Sequence, residues 1–258
     1  MMNPLLIPEV YKKADVIEEA CHQALLGYSY EIPPLPARDL AIFERCSVGI
    51  KKLGLSEPEG QAKLLHDVAN IELQAMELAF RTLVEFPEAP INFKEQLVSV
   101  ILDERRHLEL CVDEISKLGF RWGRWPVHLQ LWSSVSEQDT LLDRILIVHR
   151  YLEGSGLDAS HILLTKLSGL TNLGPKKIIQ TIAREEEEHV SFGSRWYKEI
   201  CQLNNLDVHE DFNKRMNKIF SQIPKRSVKI NIQLRKQVGF SDVELDVLQR
   251  IHDNKARI

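Results

Sequence analysis

The sequence predicts an all-α protein, a four-helix bundle with a long crossover connection and extra helices at both ends. Three observations carry this. Four long segments repeat apolar residues at helical spacing, prolines fall at the edges of these segments, and no run alternates with the two-residue period of a strand ladder.

The first helix is expected over about residues 8–26, where Val10, Ala14, Ile17, Cys21 and Leu25 recur on one face. EIPPLPARD at 31–39 then breaks the pattern. A long amphipathic helix is expected from Glu57 to about Phe86, ended by Phe86-Pro87 and the turn EAP. A second runs from about Phe93 to Leu118, with Gly119 where a helix C-terminus favours glycine. Residues 120–137 carry Trp122, Trp125 and Trp132 with a proline and no period, and read as the ordered crossover of a bundle. A third long helix is expected over 139–167 and a fourth over 175–203, followed by a shorter helix near 208–221, an irregular basic stretch over 224–239 and a last helix over 241–252. The resulting division is an N-terminal extension (1–56), the bundle (57–204) and a C-terminal extension (205–258).

With 258 residues, 44% hydrophobic and 27% charged, the chain can bury a substantial core. A formal net charge of -4 gives no protein-wide positive field, so neither a membrane nor a nucleic acid is favoured as partner. Lys225, Arg226, Lys229, Arg235 and Lys236 concentrate positive charge near the C-terminus, read as solvated surface, with an anion, cofactor or RNA contact as the alternative. The N-terminus lacks the basic and apolar regions of a secretory signal. Cys21, Cys46, Cys111 and Cys201 form no Cys-x-x-Cys pair. A cytoplasmic protein is the expectation.

Two of the long helices contain Glu-x-x-His, at Glu104 to His107 and Glu186 to His189. Positions i and i+3 lie about 60° apart around a helix, so each pair offers a carboxylate and an imidazole from one face. The motif is weak alone, and Glu19 to His22 repeats it where no partner helix precedes. A further glutamate raises the other two: Glu72 precedes Glu104 by 32 residues and Glu153 precedes Glu186 by 33. Each half reads Glu, helix, turn, helix, Glu-x-x-His, and the return of a helical hairpin brings the single Glu level with the motif. This is the ligand pattern of ferritin-like di-iron and di-manganese carboxylate bundles. Four carboxylates balance two divalent ions, and two imidazoles favour iron or manganese over calcium or magnesium. The predicted ligands are Glu72, Glu104, His107, Glu153, Glu186 and His189.

Asp103 and Glu185 precede the two motif glutamates, and are expected to orient the histidines crosswise, Asp103 on His189 and Glu185 on His107. In REEEEHV at least one other glutamate is expected to be only solvated. Gly154 and Gly156 follow Glu153 in mid-helix, where each costs about 1 kcal/mol relative to alanine. A bulge, a pocket or close packing would account for them. Cys111 reads as a small core residue beneath the site, and the tryptophans as anchors of the connection.

NIELQAMELAFRTLVEFPEAP, DERRHLEL, RWPVHLQLW and EEEEHVSFGSRWY resemble an uncharacterised bacterial ferritin-like family of unknown function, over roughly residues 60–240. The resemblance implies a ferritin-like fold and a di-metal centre on the six residues named. It departs at Ile71, where the family usually has His, and at Glu185, where it commonly has Asp. Distantly similar proteins include bacterial multicomponent monooxygenases and a tRNA-modifying hydroxylase. The expected function is therefore an oxygen-activating hydroxylase or oxidase holding two metal ions, iron first and manganese second. Its expected partners are dioxygen, an organic substrate that the sequence does not identify, and a reductase. The alternatives are a ferroxidase or peroxide-detoxifying iron-handling protein, and a non-catalytic interaction module stabilised by metal.

Overall fold

The computed structural model describes residues 1–39, 53–220, 223 and 228–256, and among these the chain is helical with no strand. Cys46, Lys225 and Arg226 lie outside the described residues. Among the described residues no helix is long and apolar enough to cross a membrane. The chain divides into two compact units, residues 1–132 with 166–179, and residues 133–165 with 180–258.

In the first unit a 3-10 turn at Pro4–Leu6 leads into α1 (Val10–Leu25), which packs with α2 (Pro58–Glu85) and α3 (Ile91–Lys117). Val10, Ala14, Ile17 and Cys21 of α1 are buried as their spacing predicts. Beside them is a buried charge that the spacing does not predict: Lys13 pairs with Glu77 of α2, which Arg38 also grips through both guanidinium nitrogens at 2.6 and 2.5 Å. α2 and α3 form the expected hairpin about the turn at 86–90. α3 ends in a Schellman motif: Gly119 has φ +85°, its N–H donates to Ser116 O, and Phe120 N–H donates to Ile115 O.

The connection after α3 contains no α-helix, in keeping with its aperiodic sequence. A buried polar row on α2 holds it. His66 stacks on Trp122 and accepts a hydrogen bond from Gly123 N–H at 3.1 Å. Asn70 donates to His128 O at 3.1 Å, and Gln74 Oε1 accepts from Leu131 and Trp132 N–H at 3.1 and 3.3 Å. The tryptophans are anchors, as expected: Trp132 donates its indole N–H to Pro34 O, and Arg81 lies over its ring. A segment without its own backbone ladder is thus paired donor by donor with one helix.

In the second unit, Thr140 and Asp143 form a reciprocal capping box that starts α4 (Leu141–Ile145). The helix continues through a π-helical segment, Leu146–Leu152, into α5 (Glu153–Leu167). α6 (Gly174–Leu203) begins in the first unit and continues in the second, followed by α7 (Val208–Ile219), α8 (Ile232–Gln237) and α9 (Asp242–Ala256).

The stretch over 224–239, expected to be irregular, contains α8. Asn231 starts it by accepting from Leu234 N–H, and Arg235 is fully buried against Asp158 with Nη2 to Oδ2 at 2.9 Å. Arg235 is therefore a core residue and not part of a basic surface. Nearby, buried Arg150 pairs with Glu244 at 2.7 Å and faces the rings of Tyr197, Phe212 and Phe240. These ring faces stand where Nε and Nη2 have no hydrogen-bond acceptor among the described residues.

Candidate metal centre

Glu72 comes from the middle of α2, and Glu104 and His107 from successive turns of α3. All three are buried, with Glu104 and His107 at 0% exposure, and each offers a ligand atom within 4.8 Å of the others. His107 turns Nδ1 to the carboxylates, 3.3 Å from Glu72 Oε2 and 3.6 Å from Glu104 Oε2. Two carboxylates this deep in a core repel each other unless a cation lies between them. Burial works to lower the pKa of His107, but hydrogen bonds and charge from Glu104 and Glu72 outweigh it and raise it to about 11. The pocket thus attracts positive charge, a proton on the imidazole or a metal ion that displaces it.

The second unit carries the corresponding residues. Glu186 and His189 lie on successive turns of α6, both buried, and His189 turns the same nitrogen, Nδ1, to Glu186 Oε1 at 3.5 Å. Their neighbours separate as expected, Glu187 and Glu188 being exposed and Glu185 only partly so. Glu153 begins α5 directly after the π-helical segment and is buried. Its Oε2 has no hydrogen-bond partner among the described residues. A buried carboxylate oxygen without a donor fits a cation ligand, because the cost of leaving it bare is high.

Of the residues expected to orient the histidines, Asp103 receives Arg106 at 2.8 Å and Glu185 receives Arg184 at 3.3 Å. Glu19 and His22 are exposed, which leaves that third copy of the motif without a pocket. Cys111 is buried in the core, and burial together with the charge of Glu72 pushes its thiol well above its ordinary pKa, so it is no thiolate ligand. Ile71, where the sequence departs from the family pattern, is 40% exposed.

Sequence reasoning missed His149. It is fully buried, one helical turn before Glu153, and its Nδ1 lies 2.7 Å from Glu153 Oε1. The signal was a histidine four residues ahead of a predicted ligand in VHRYLE, which puts both on one helix face. Of the accounts open for Gly154, close packing is the one found, since Arg235 lies on it. A Cβ there would come within 1.8 Å of the guanidinium, while nothing among the described residues lies within 4 Å at Gly156.

The chain matches the family described as "Protein of unknown function (DUF455)" over residues 8–246. A curated relative, an uncharacterized protein of Haemophilus influenzae, is 28% identical over 210 residues, which cover 78% of this chain and 72% of the relative. No solved structure matches the chain.

Proposed function

Since the chain belongs to the DUF455 family, whose description names no reaction, we propose from its own residues that it is a ferritin-like di-metal carboxylate protein acting as an oxygen-dependent oxidoreductase. The observation that carries the reading is the buried group of Glu72, Glu104 and His107, a donor set of carboxylate and imidazole that suits iron or manganese. In this reading Glu153, Glu186 and His189 supply the second half of the ligands. Support comes from the sequence repeat and from the matching presentation of Nδ1 by both motif histidines, at 3.6 and 3.5 Å from the glutamate of the same motif.

The four glutamates would balance two divalent ions, so that the filled site is close to neutral within an apolar core. His107 and His189 would bind through Nδ1, with Asp103 and Glu185 assigned to orient them. Leu73 and Met76 of α2 and Ile101, Leu108 and Cys111 of α3, the two helices that carry the first group, are almost fully buried, which supports a site closed to water. Bound iron would supply the reduction of dioxygen and the oxidation of an organic substrate, with electrons returned by a reductase.

The test is metal content and oxygen uptake. Protein loaded anaerobically with Fe(II) is expected to retain about two ions per chain, to lose them in Glu104→Ala, and to consume oxygen on exposure to air. A folded wild-type protein that retains no Fe(II) or Mn(II) overturns the reading. Oxygen uptake that no organic compound alters would point to iron handling instead.

A further inference from the structure

We infer that His149 is a positioning residue that fixes the carboxylate of Glu153 for metal binding. The inference rests on the di-metal reading above and assigns a role to a residue outside the six ligands. A lone glutamate at the start of a helical turn has several rotamers, and only some aim its oxygens at a common point. His149 Nδ1 at 2.7 Å from Oε1 selects among them, and Oε2 is left buried with no partner among the described residues. One oxygen is therefore held by the protein and the other is available to an ion.

The histidine is itself held on several sides. Its ring meets Phe192 edge-on, with centroids 5.2 Å apart. Gly193 lies so close that a Cβ there would stand 2.6 Å from His149 Cβ, and α6 could not approach with any larger residue at that position. The backbone adds a further constraint, because Glu153 N–H donates to Val148 O, five residues back, and so closes the last wide turn of the π-helical segment. Such segments are rare and recur at functional sites. Here the segment contains His149 and ends at the carboxylate that His149 holds. Both side chains are buried, His149 at 0% and Glu153 at 6%, so water does not compete for the bond.

The experiment titrates Mn(II) into purified protein, with free ion followed by its electron paramagnetic resonance signal and folding checked by circular dichroism. Wild type, His149→Leu, His149→Asn and Glu104→Ala are compared. Asparagine places an amide N–H close to where Nδ1 stands, whereas leucine fills the space without a donor. His149→Leu is expected to weaken Mn(II) binding by about 10- to 100-fold, the usual cost of removing a partner of a ligand. His149→Asn is expected to recover most of that loss. A helical His149→Leu protein that binds Mn(II) as tightly as wild type overturns the inference, as does His149→Asn losing as much as His149→Leu while remaining folded. Wild-type protein that binds no Mn(II) or Fe(II) overturns the di-metal reading instead, and the two failures are thereby distinguished.

Discussion

Glu72 Oε2 stands 3.3 Å from His107 Nδ1 on the neighbouring helix, and neither side chain is more than 6% exposed. In the di-metal reading a divalent ion held between them would bind the folded chain and not the unfolded one. Mn(II) at a hundred times its dissociation constant is therefore expected to raise stability by about 2.7 kcal/mol per site. Chemical denaturation with and without the ion checks this, and a chelator should restore the original midpoint. Glu104→Ala should abolish the response.

Glu77 is the counter-ion of two buried cations, Lys13 and Arg38. Glu77→Gln leaves both in the core without their charge partner, and a loss of about 3–5 kcal/mol is expected, because breaking one side of a buried ion group strands the other. A shift in the urea midpoint with an unchanged m-value would confirm it. A change below 1 kcal/mol would show that water reaches the group.

Gly154 and Gly156 of α5 should respond with opposite signs. In Gly154→Ala the new methyl group meets an Arg235 guanidinium that cannot retreat, since Asp158 and Arg150 O hold it at 2.9 Å. A loss of about 1–3 kcal/mol follows from overpacking. Gly156→Ala meets nothing and should gain about 0.5–1 kcal/mol by restricting the unfolded chain. Thermal unfolding of the two variants decides it.

Acid should destabilise the protein in two separable steps. Burial holds His66 down to about 4 from 6.5, so the unfolded chain takes up the proton first and stability falls as pH drops from about 6.5 to 4. Burial raises Asp143, but Thr140 N–H, Lys218 and Arg215 outweigh it and lower it to about 2, so its contribution, present above about 4, is lost between there and pH 2. Urea midpoints against pH should lose only the lower step in Asp143→Asn.

The helices and the buried Glu/His group were legible because their signals are periodic: Glu72, Glu104 and His107 are set by a 3.6-residue repeat and a hairpin of fixed length. What escaped prediction depends on contacts distant in sequence. His66, Asn70 and Gln74 look like polar residues misplaced on an apolar face until the connection that they hold is present. Arg235 reads as one more cation in a basic stretch, and only the position of Asp158 makes it a core residue. The π-helical segment is hinted at only by the glycines that follow it, for which a bulge is one reading, because its own sequence LIVHRYL suits an ordinary helix equally well.

The Arg150–Glu244 pair carries a consequence for biosynthesis. Glu244 follows Arg150 by 94 residues, so on the ribosome the arginine is made long before its counter-ion emerges. Until then a cation destined for the core has no carboxylate, and the helix leading to Glu153 has reason to stay open to solvent. Nascent chains stalled before Glu244 should accordingly be cut by protease within the 146–152 segment, whereas chains extended past α9 should resist. The order of translation would then delay closure around Glu153 until its C-terminal clasp has been made.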